Sequence, residues 1–211
     1  MNMTFRNNSL CRILQLWEIK KFHLKGNILE IGSSKFSKNS FIKGLKIKKN
    51  QKCDFADKFE KNSIKIDLEK KIKIKSNQYK NIICFNVLEH IFETGNALNE
   101  IYRILRKRGI FFGSTPFLYR VHGAPNDYLR FTGQFLEKKL NKLFSKSKVI
   151  PLGYGPFTGA YSVIFDYLKI IPFLPNIVLS LTIIIDSFLN LFIQTELKKL
   201  YPIAYFFITK K

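Results

Sequence analysis

Residues Asn81 to Pro116 constrain the fold of this chain more than any other stretch. They open with a continuous apolar run, Ile82 to Val87, whose length and lack of alternation predict a strand buried on both faces, the habit of a parallel sheet. The period then changes. Ala97, Leu98, Ile101, Tyr102, Ile104 and Leu105 recur at helical spacing, Glu100, Arg103 and Lys107 lie between them, and Gly109 stands where a C-terminal cap would close the helix. Ile110 to Phe112 begins a second strand. Strand, helix and strand with short joints make a βαβ unit, which crosses over right-handed with its helix laid on the sheet, so the predicted class is α/β.

Composition narrows the function classes. The 211 residues suffice for one α/β domain over 1–211, and 46% hydrophobic with 15% aromatic residues exclude wholesale disorder. The formal net charge of +21 would attract phosphates of nucleic acid or anionic lipid head groups. The lysines are spread from Lys20 to Lys211 without forming a stripe, and no Asn-Pro-Pro-Tyr-type motif for a flipped base occurs, so a nucleic-acid partner is not expected. Cys11, Cys53 and Cys84 are odd in number and lack metal-ligand or CxxC spacing. Neither a disulfide framework nor a zinc site is expected, and a reducing cytoplasm fits. Arg12, Gln15 and Glu18 interrupt the only candidate for a secretion signal.

In chain order, Ser9 is placed to cap a first helix with Leu10, Ile13, Leu14 and Trp17 on its inner face. Ile28 to Ser34 reads as a strand entering a tight turn at Gly32. Lys35 to Asn50 is basic and irregular around Phe41, Ile42 and Leu45, and Lys52-Cys53-Asp54 is expected to end the second strand. An acid at that end can hold two ribose hydroxyls through one carboxylate, which makes Asp54 the candidate and Asp57 its rival. Ser63 to Leu68 alternates as a third strand, and Glu69 to Lys80 reads as a polar surface loop. Asn86 to His90 falls at the carboxyl end of the fourth strand, where open α/β sheets bind ligands. Glu89 and His90 are acid-base candidates there, with helix capping and a structural hydrogen bond as the respective alternatives.

After the fifth strand, Pro116 to Thr132 gathers Tyr119, Arg120, His122, Asp127, Tyr128 and Arg130 around a turn at Gly123–Pro125. Such a loop suits an acceptor pocket, with His122 as base and Arg130 on an acidic or phosphate group. The alternative is a rigid loop held by Asp127 and Arg130. Thr132 is predicted to cap a helix over Gln134 to Leu143 with Phe135, Leu136 and Leu140 inward. Val149 to Leu152 and Ala204 to Thr209 read as the last two strands, separated by a hydrophobic insertion over 155–200. Pro172, Pro175 and Asp186 divide that insertion into helices too short for the ~20 apolar residues of a membrane span. The expected arrangement is a hairpin lying in the head-group region of an anionic membrane, and the alternatives are a cap on the core or a dimer interface.

Val87-Leu-Glu-His90, Arg103-Ile-Leu-Arg-Lys-Arg-Gly109 and Ser114-Thr-Pro116 together resemble the second half of a class I S-adenosylmethionine-dependent methyltransferase of type 11. The run Pro116 to Thr132 is similar to a narrower branch associated with surface-glycan or lipid-linked biosynthesis. The resemblance implies a seven-stranded, mostly parallel, doubly wound sheet and S-adenosylmethionine as cofactor. It implies cofactor contacts from Glu30, Gly32, Ser34, Asp54, Asp67, Asn86 and Leu88, with Ser34 and Phe36 where the family's glycine-rich turn has its second and third glycines. His122, His90 and Tyr128 would be catalytic, and Tyr119, His122, Asp127, Tyr128 and Arg130 would hold the acceptor. Methyl transfer needs a nucleophile aligned about 3 Å from the sulfonium methyl and its proton removed, so no metal is required. The expected acceptor is a small, glycan or lipid-linked molecule, and the expected location is cytoplasmic and peripheral on the inner face of the membrane.

Overall fold

The computed structural model describes residues 9–38, 40–123 and 125–211. Its strands are β1 (Ile28–Ile31), β2 (Cys53–Asp57), β3 (Ile64–Lys65), β4 (Tyr79–Phe85), β5 (Leu105–Pro116), β6 (Lys146–Leu152) and β7 (Ala204–Lys210). Its helices are α1 (Leu10–Lys20), α2 (Thr94–Ile104), α3 (Gly133–Asn141), α4 (Pro156–Leu168), α5 (Leu174–Leu189) and α6 (Leu197–Leu200). The strands form one seven-stranded sheet in the order β3-β2-β1-β4-β5-β7-β6. All pairs are parallel except those made by β7, which runs antiparallel to both β5 and β6. The order reverses between β1 and β4, the switch point at which such sheets open a crevice beyond their carboxyl ends.

Both faces of the sheet are covered, as the unbroken apolar β4 requires. On one side Ile82, Cys84, Phe111 and Phe207 pack with Leu98 and Ile101 of α2 and Leu136 and Leu140 of α3. On the other, Ile28, Ile83, Phe112 and Phe206 pack with Leu10, Leu14 and Ile19 of α1, Phe165 of α4 and Leu179 of α5. Ser9 caps α1 by accepting from the Arg12 amide at 3.4 Å, and Thr132 caps α3 from the Phe135 amide at 3.3 Å. Trp17 and Phe135, expected inside, are roughly half exposed.

Several boundaries differ from the sequence expectation. Helix α2 ends at Ile104, and Gly109 does not cap it. Leu105 is drawn into register with Tyr79 as the first residue of β5, and the positive φ falls on Arg108. The carbonyls of Tyr102 and Leu105 at the helix end accept instead from the Lys211 ammonium at 2.6 and 2.8 Å, a cation at the negative pole of the helix. Strand β2 runs past Asp54 to Asp57. The segment Glu69 to Lys80 is not simply a surface loop, because Ile72 and Ile74 enter the core and Tyr79 starts β4.

The insertion forms α4, α5 and α6. Asp186 of α5 is fully buried and accepts from the amides of Phe157 and Thr158 and from the Thr158 hydroxyl at 3.1, 2.8 and 2.8 Å, closing the N-terminus of α4. Gly155 is required there, because a Cβ would come within 2.6 Å of the Asp186 carboxylate. Among the described residues, the opposite face of α5 is left open: Ile177, Leu181, Ile184 and Phe188 are all more than half exposed. Tyr167, Ile170, Ile171 and Phe173 extend the same apolar surface. Among the described residues, no helix is long and apolar enough to cross a membrane.

Candidate active site

The crevice at the switch point is lined by Ile31 and Gly32 at the end of β1, Asp57, Lys58 and Phe59 at the end of β2, and Asn86, Val87 and His90 after β4. Ile66, Leu68 and Glu69 close one side, and Asn126 and Tyr128 of the loop after β5 close another. The cavity is about 210 Å³.

Gly32 turns the chain away from β1 at φ +82°, its amide donating to the Ala56 carbonyl at 2.8 Å. A Cβ there would lie 2.3 Å from Cγ2 of Val87. Only glycine satisfies both constraints. Asn86 also has positive φ, +55°. Its side-chain amide is paired with that of Gln15, with Nε2 to Oδ1 at 2.6 Å and Nδ2 to Oε1 at 3.0 Å. Gln15 is wholly buried in α1 and donates to the Ser114 hydroxyl at 2.9 Å, which donates to the Tyr205 carbonyl at 2.7 Å. Sequence reasoning treated α1 as packing alone and missed Gln15. The available signal was a glutamine flanked on both sides by residues of an apolar helix face.

Glu30 faces away from the crevice. Its buried carboxylate accepts from the Ser40 hydroxyl and the Phe41 and Ile42 amides at 2.6, 2.7 and 3.2 Å, anchoring the single helical turn Ile42–Gly44. Burial pushes its pKa up against those bonds. Asp54 is corrected in position. It sits at the amino end of β2 opposite Leu29, accepting from the Tyr79 hydroxyl at 2.9 Å, and Asp57 occupies the carboxyl end that faces the cavity. Asp67 is paired with Lys58 at 3.1 Å beside the crevice. Ser34 and Leu88 are buried outside the lining.

The loop after β5 is built around Asp127. Arg130 donates two parallel bonds to its carboxylate at 2.5 and 2.6 Å, and the His122 amide adds a third at 2.9 Å. The guanidinium holds the Asp127 carboxyl well below the usual carboxylate range. Arg130 also reaches the Leu129 and Arg120 carbonyls. Both groups are thus engaged in holding the loop, the arrangement that was the alternative to an acceptor pocket. Arg120 leaves for Asp166 of α4 at 2.6 Å.

Of the remaining candidates His90 and Tyr128 line the crevice, and His122 and Tyr119 stack behind them. The two imidazoles stand edge to face with centroids 5.0 Å apart, and Tyr119 packs on His122 at 5.2 Å. Burial lowers the His122 pKa, which favours the neutral ring. Tyr128 accepts from the Asn126 side chain at 2.7 Å and packs on Phe92. Beneath the histidines lies Glu89, fully buried, its carboxyl pushed up to about 8 by burial. Its carbonyl accepts from the Tyr128 and Leu129 amides at 2.8 and 3.2 Å, which pins the loop over the fourth-strand end. The expected turn at Gly123–Pro125 includes residue 124, outside the described residues.

A family model described as a methyltransferase domain matches residues 31–113, which span Gly32, Asp57, Asn86 and His90. No curated protein matched the chain by sequence. Among solved structures, an S-adenosylmethionine-dependent methyltransferase from Archaeoglobus fulgidus superposes with a TM-score of 0.57 at 14% identity, over 95% of this chain and 94% of that one. A methyltransferase of Thermotoga maritima, described as a possible histamine N-methyltransferase, gives 0.61 at 14% identity over 96% and 90%. Phosphoethanolamine N-methyltransferase 2 of Haemonchus contortus, solved with S-adenosylhomocysteine, gives 0.56 at 12% identity over 93% of this chain and 52% of that one. The strand order and the glycine turn at the switch point agree with these superpositions: this chain has the Rossmann-like fold of the S-adenosylmethionine-dependent methyltransferases, and its residues 31–113 are similar to a methyltransferase domain.

Proposed function

We propose that the protein transfers the methyl group of S-adenosylmethionine to an oxygen or nitrogen of a small, glycan or lipid-linked acceptor, working at the surface of an anionic membrane. The observation that carries this reading is the crevice itself, where Gly32, Asp57 and Asn86 meet at the carboxyl ends of three adjacent strands. Gly32 lets the backbone approach the cofactor, Asp57 takes the ribose hydroxyls in place of Asp54, and Asn86, locked by Gln15, presents its backbone at the switch point. A nucleoside fills the cavity of about 210 Å³ and extends past its rim, since sites for larger ligands run to roughly 300–1,000 Å³. His90, Tyr128 and, behind them, His122 stand on the acceptor side. A neutral His122 can remove the acceptor proton as the sulfonium methyl departs.

The exposed apolar face of α4 and α5 supports the membrane part of the proposal. A soluble monomer rarely leaves so much contiguous apolar surface in water. Calorimetry with S-adenosylhomocysteine tests the cofactor assignment. Binding that is weakened at least roughly tenfold by Asp57→Ala and left intact by Asp54→Ala is expected. No binding by the wild type at millimolar ligand would remove the catalytic reading and leave a methyltransferase-fold binding module.

A further inference from the structure

We infer that Glu89, His90 and His122 form a site for a divalent cation on the acceptor side of the crevice, deepening the methyl-transfer reading on which its catalytic role rests. One ligand atom from each of the three lies within 4.8 Å of the others. The sequence offered no sign of it, because the cysteines lack ligand spacing and the three residues come from the end of β4 and a loop more than thirty positions later.

Glu89 carries the inference. It is 0% exposed, and neither carboxylate oxygen has a hydrogen-bond partner. Even when protonated, a buried carboxyl with no partner leaves its polar atoms unsatisfied, a cost that a bound metal ion removes. The nearest candidate counter-charge, Arg130, is already engaged by Asp127. His90 is oriented as a ligand: its Nδ1 lies 2.5 Å from the Asn126 carbonyl, and a proton donated there leaves the lone pair on Nε2, 3.8 Å from Oε1 of Glu89. Metal-bound histidines are held in this way, the far nitrogen tied to a carbonyl that fixes tautomer and ring plane. The third ring, His122, is placed by the Asp127-centred loop against His90.

Ligands about 2.1 Å from a tetrahedral ion stand roughly 3.4 Å apart, so side-chain adjustments on the order of 1 Å would close the cluster. Two imidazoles and one carboxylate suit borderline ions such as Zn²⁺, Co²⁺, Fe²⁺ or Mn²⁺ better than Mg²⁺ or Ca²⁺. Three protein ligands leave a position open, and His90 lies in the cavity wall, so that position faces the acceptor. An acceptor hydroxyl bound there would have its pKa lowered and release its proton to solvent water; its oxygen then forms the new bond to the methyl carbon as the carbon–sulfur bond breaks, with the electron pair remaining on sulfur. The histidines then serve as ligands, and water replaces His122 as proton acceptor.

The test is titration of chelator-treated, full-length protein with Co²⁺ and Zn²⁺, followed by calorimetry and by Co²⁺ visible absorption. The expected result is one ion per chain, with affinity reduced at least roughly tenfold by Glu89→Gln, His90→Ala or His122→Ala and unchanged by His23→Ala at the exposed third histidine. Circular dichroism melting verifies folding of each variant. Should Glu89→Gln unfold the protein, His90→Ala at the cavity wall decides alone. No stoichiometric binding, or binding indifferent to His90→Ala and His122→Ala, overturns the site. S-adenosylhomocysteine binding measured in parallel separates the two readings: cofactor binding without metal binding overturns only the cation site, and metal binding without cofactor binding upholds the site while removing methyl transfer.

Discussion

Gly32 is the single position where the least change should cost the most. A side chain there meets a φ of +82° and Cγ2 of Val87 at 2.3 Å, so Gly32→Val combines roughly 1–2 kcal/mol of left-handed strain with a steric overlap at the mouth of the crevice. The expected outcome is a lower melting temperature and no calorimetric signal with S-adenosylhomocysteine, where Ser34→Gly, on the same turn but outside the lining, keeps it. Asp186 is a second such residue. It supplies three hydrogen bonds to the first turn of α4 from another helix, so Asp186→Ala should cost about 2–4 kcal/mol by orphaning two amides and a hydroxyl, read as a shift in the denaturation midpoint. Asp186 was legible as an interruption of an apolar run. Its role as a cap was not, because the amides it serves are 28 and 29 positions away.

At the scale of elements, α2 holds the segment before β4 through one pair. Glu100 accepts from Arg103 at 2.9 and 2.7 Å and from the Ile72 amide at 2.8 Å, and Arg103 reaches the Ile72 and Ile74 carbonyls. Hydrogen bonding to Arg103 lowers the Glu100 pKa. A depressed carboxyl contributes stability that is present above its unfolded value, near 4.3, and is lost as pH falls through the folded value. Glu100→Gln should therefore lower stability by about 1–3 kcal/mol at pH 7, and the gap to wild type should narrow in melts below pH 4. The element α5 gives the other prediction. Ile177, Leu181 and Ile184 point outward, so replacing all three with Ser should leave the melting curve almost unchanged while abolishing flotation with anionic liposomes. Unchanged flotation would place the contact elsewhere and leave this face to another copy of the chain.

For the whole molecule, charge and apolar face act together. With 36 basic against 15 acidic residues, liposome binding should weaken steeply as salt rises from low to physiological concentration. Lys169, Lys198 and Lys199, which flank the apolar face, are paired with Asp166 and Glu196, so this salt dependence should belong to the distributed charge and survive Lys198→Ala. Periodicity along the chain was enough to determine the βαβ centre, the α/β class, the caps at Ser9 and Thr132 and the split of the insertion, because each depends on neighbours within a few residues. The ends of β2 and α2 were decided by pairing with β1 and β4, which put Asp57 in place of Asp54 at the carboxyl end of β2 and left Gly109 without a helix to cap. Tertiary structure alone brought Gln15 to Asn86 and His122 to Glu89 and His90, whereas the Asp127–Arg130 pair, three positions apart, was already legible as the alternative reading of its loop. Contacts between side chains tens of residues apart leave no period in the sequence, since their partners are chosen only when the sheet has folded and burial drives most polar groups to find one.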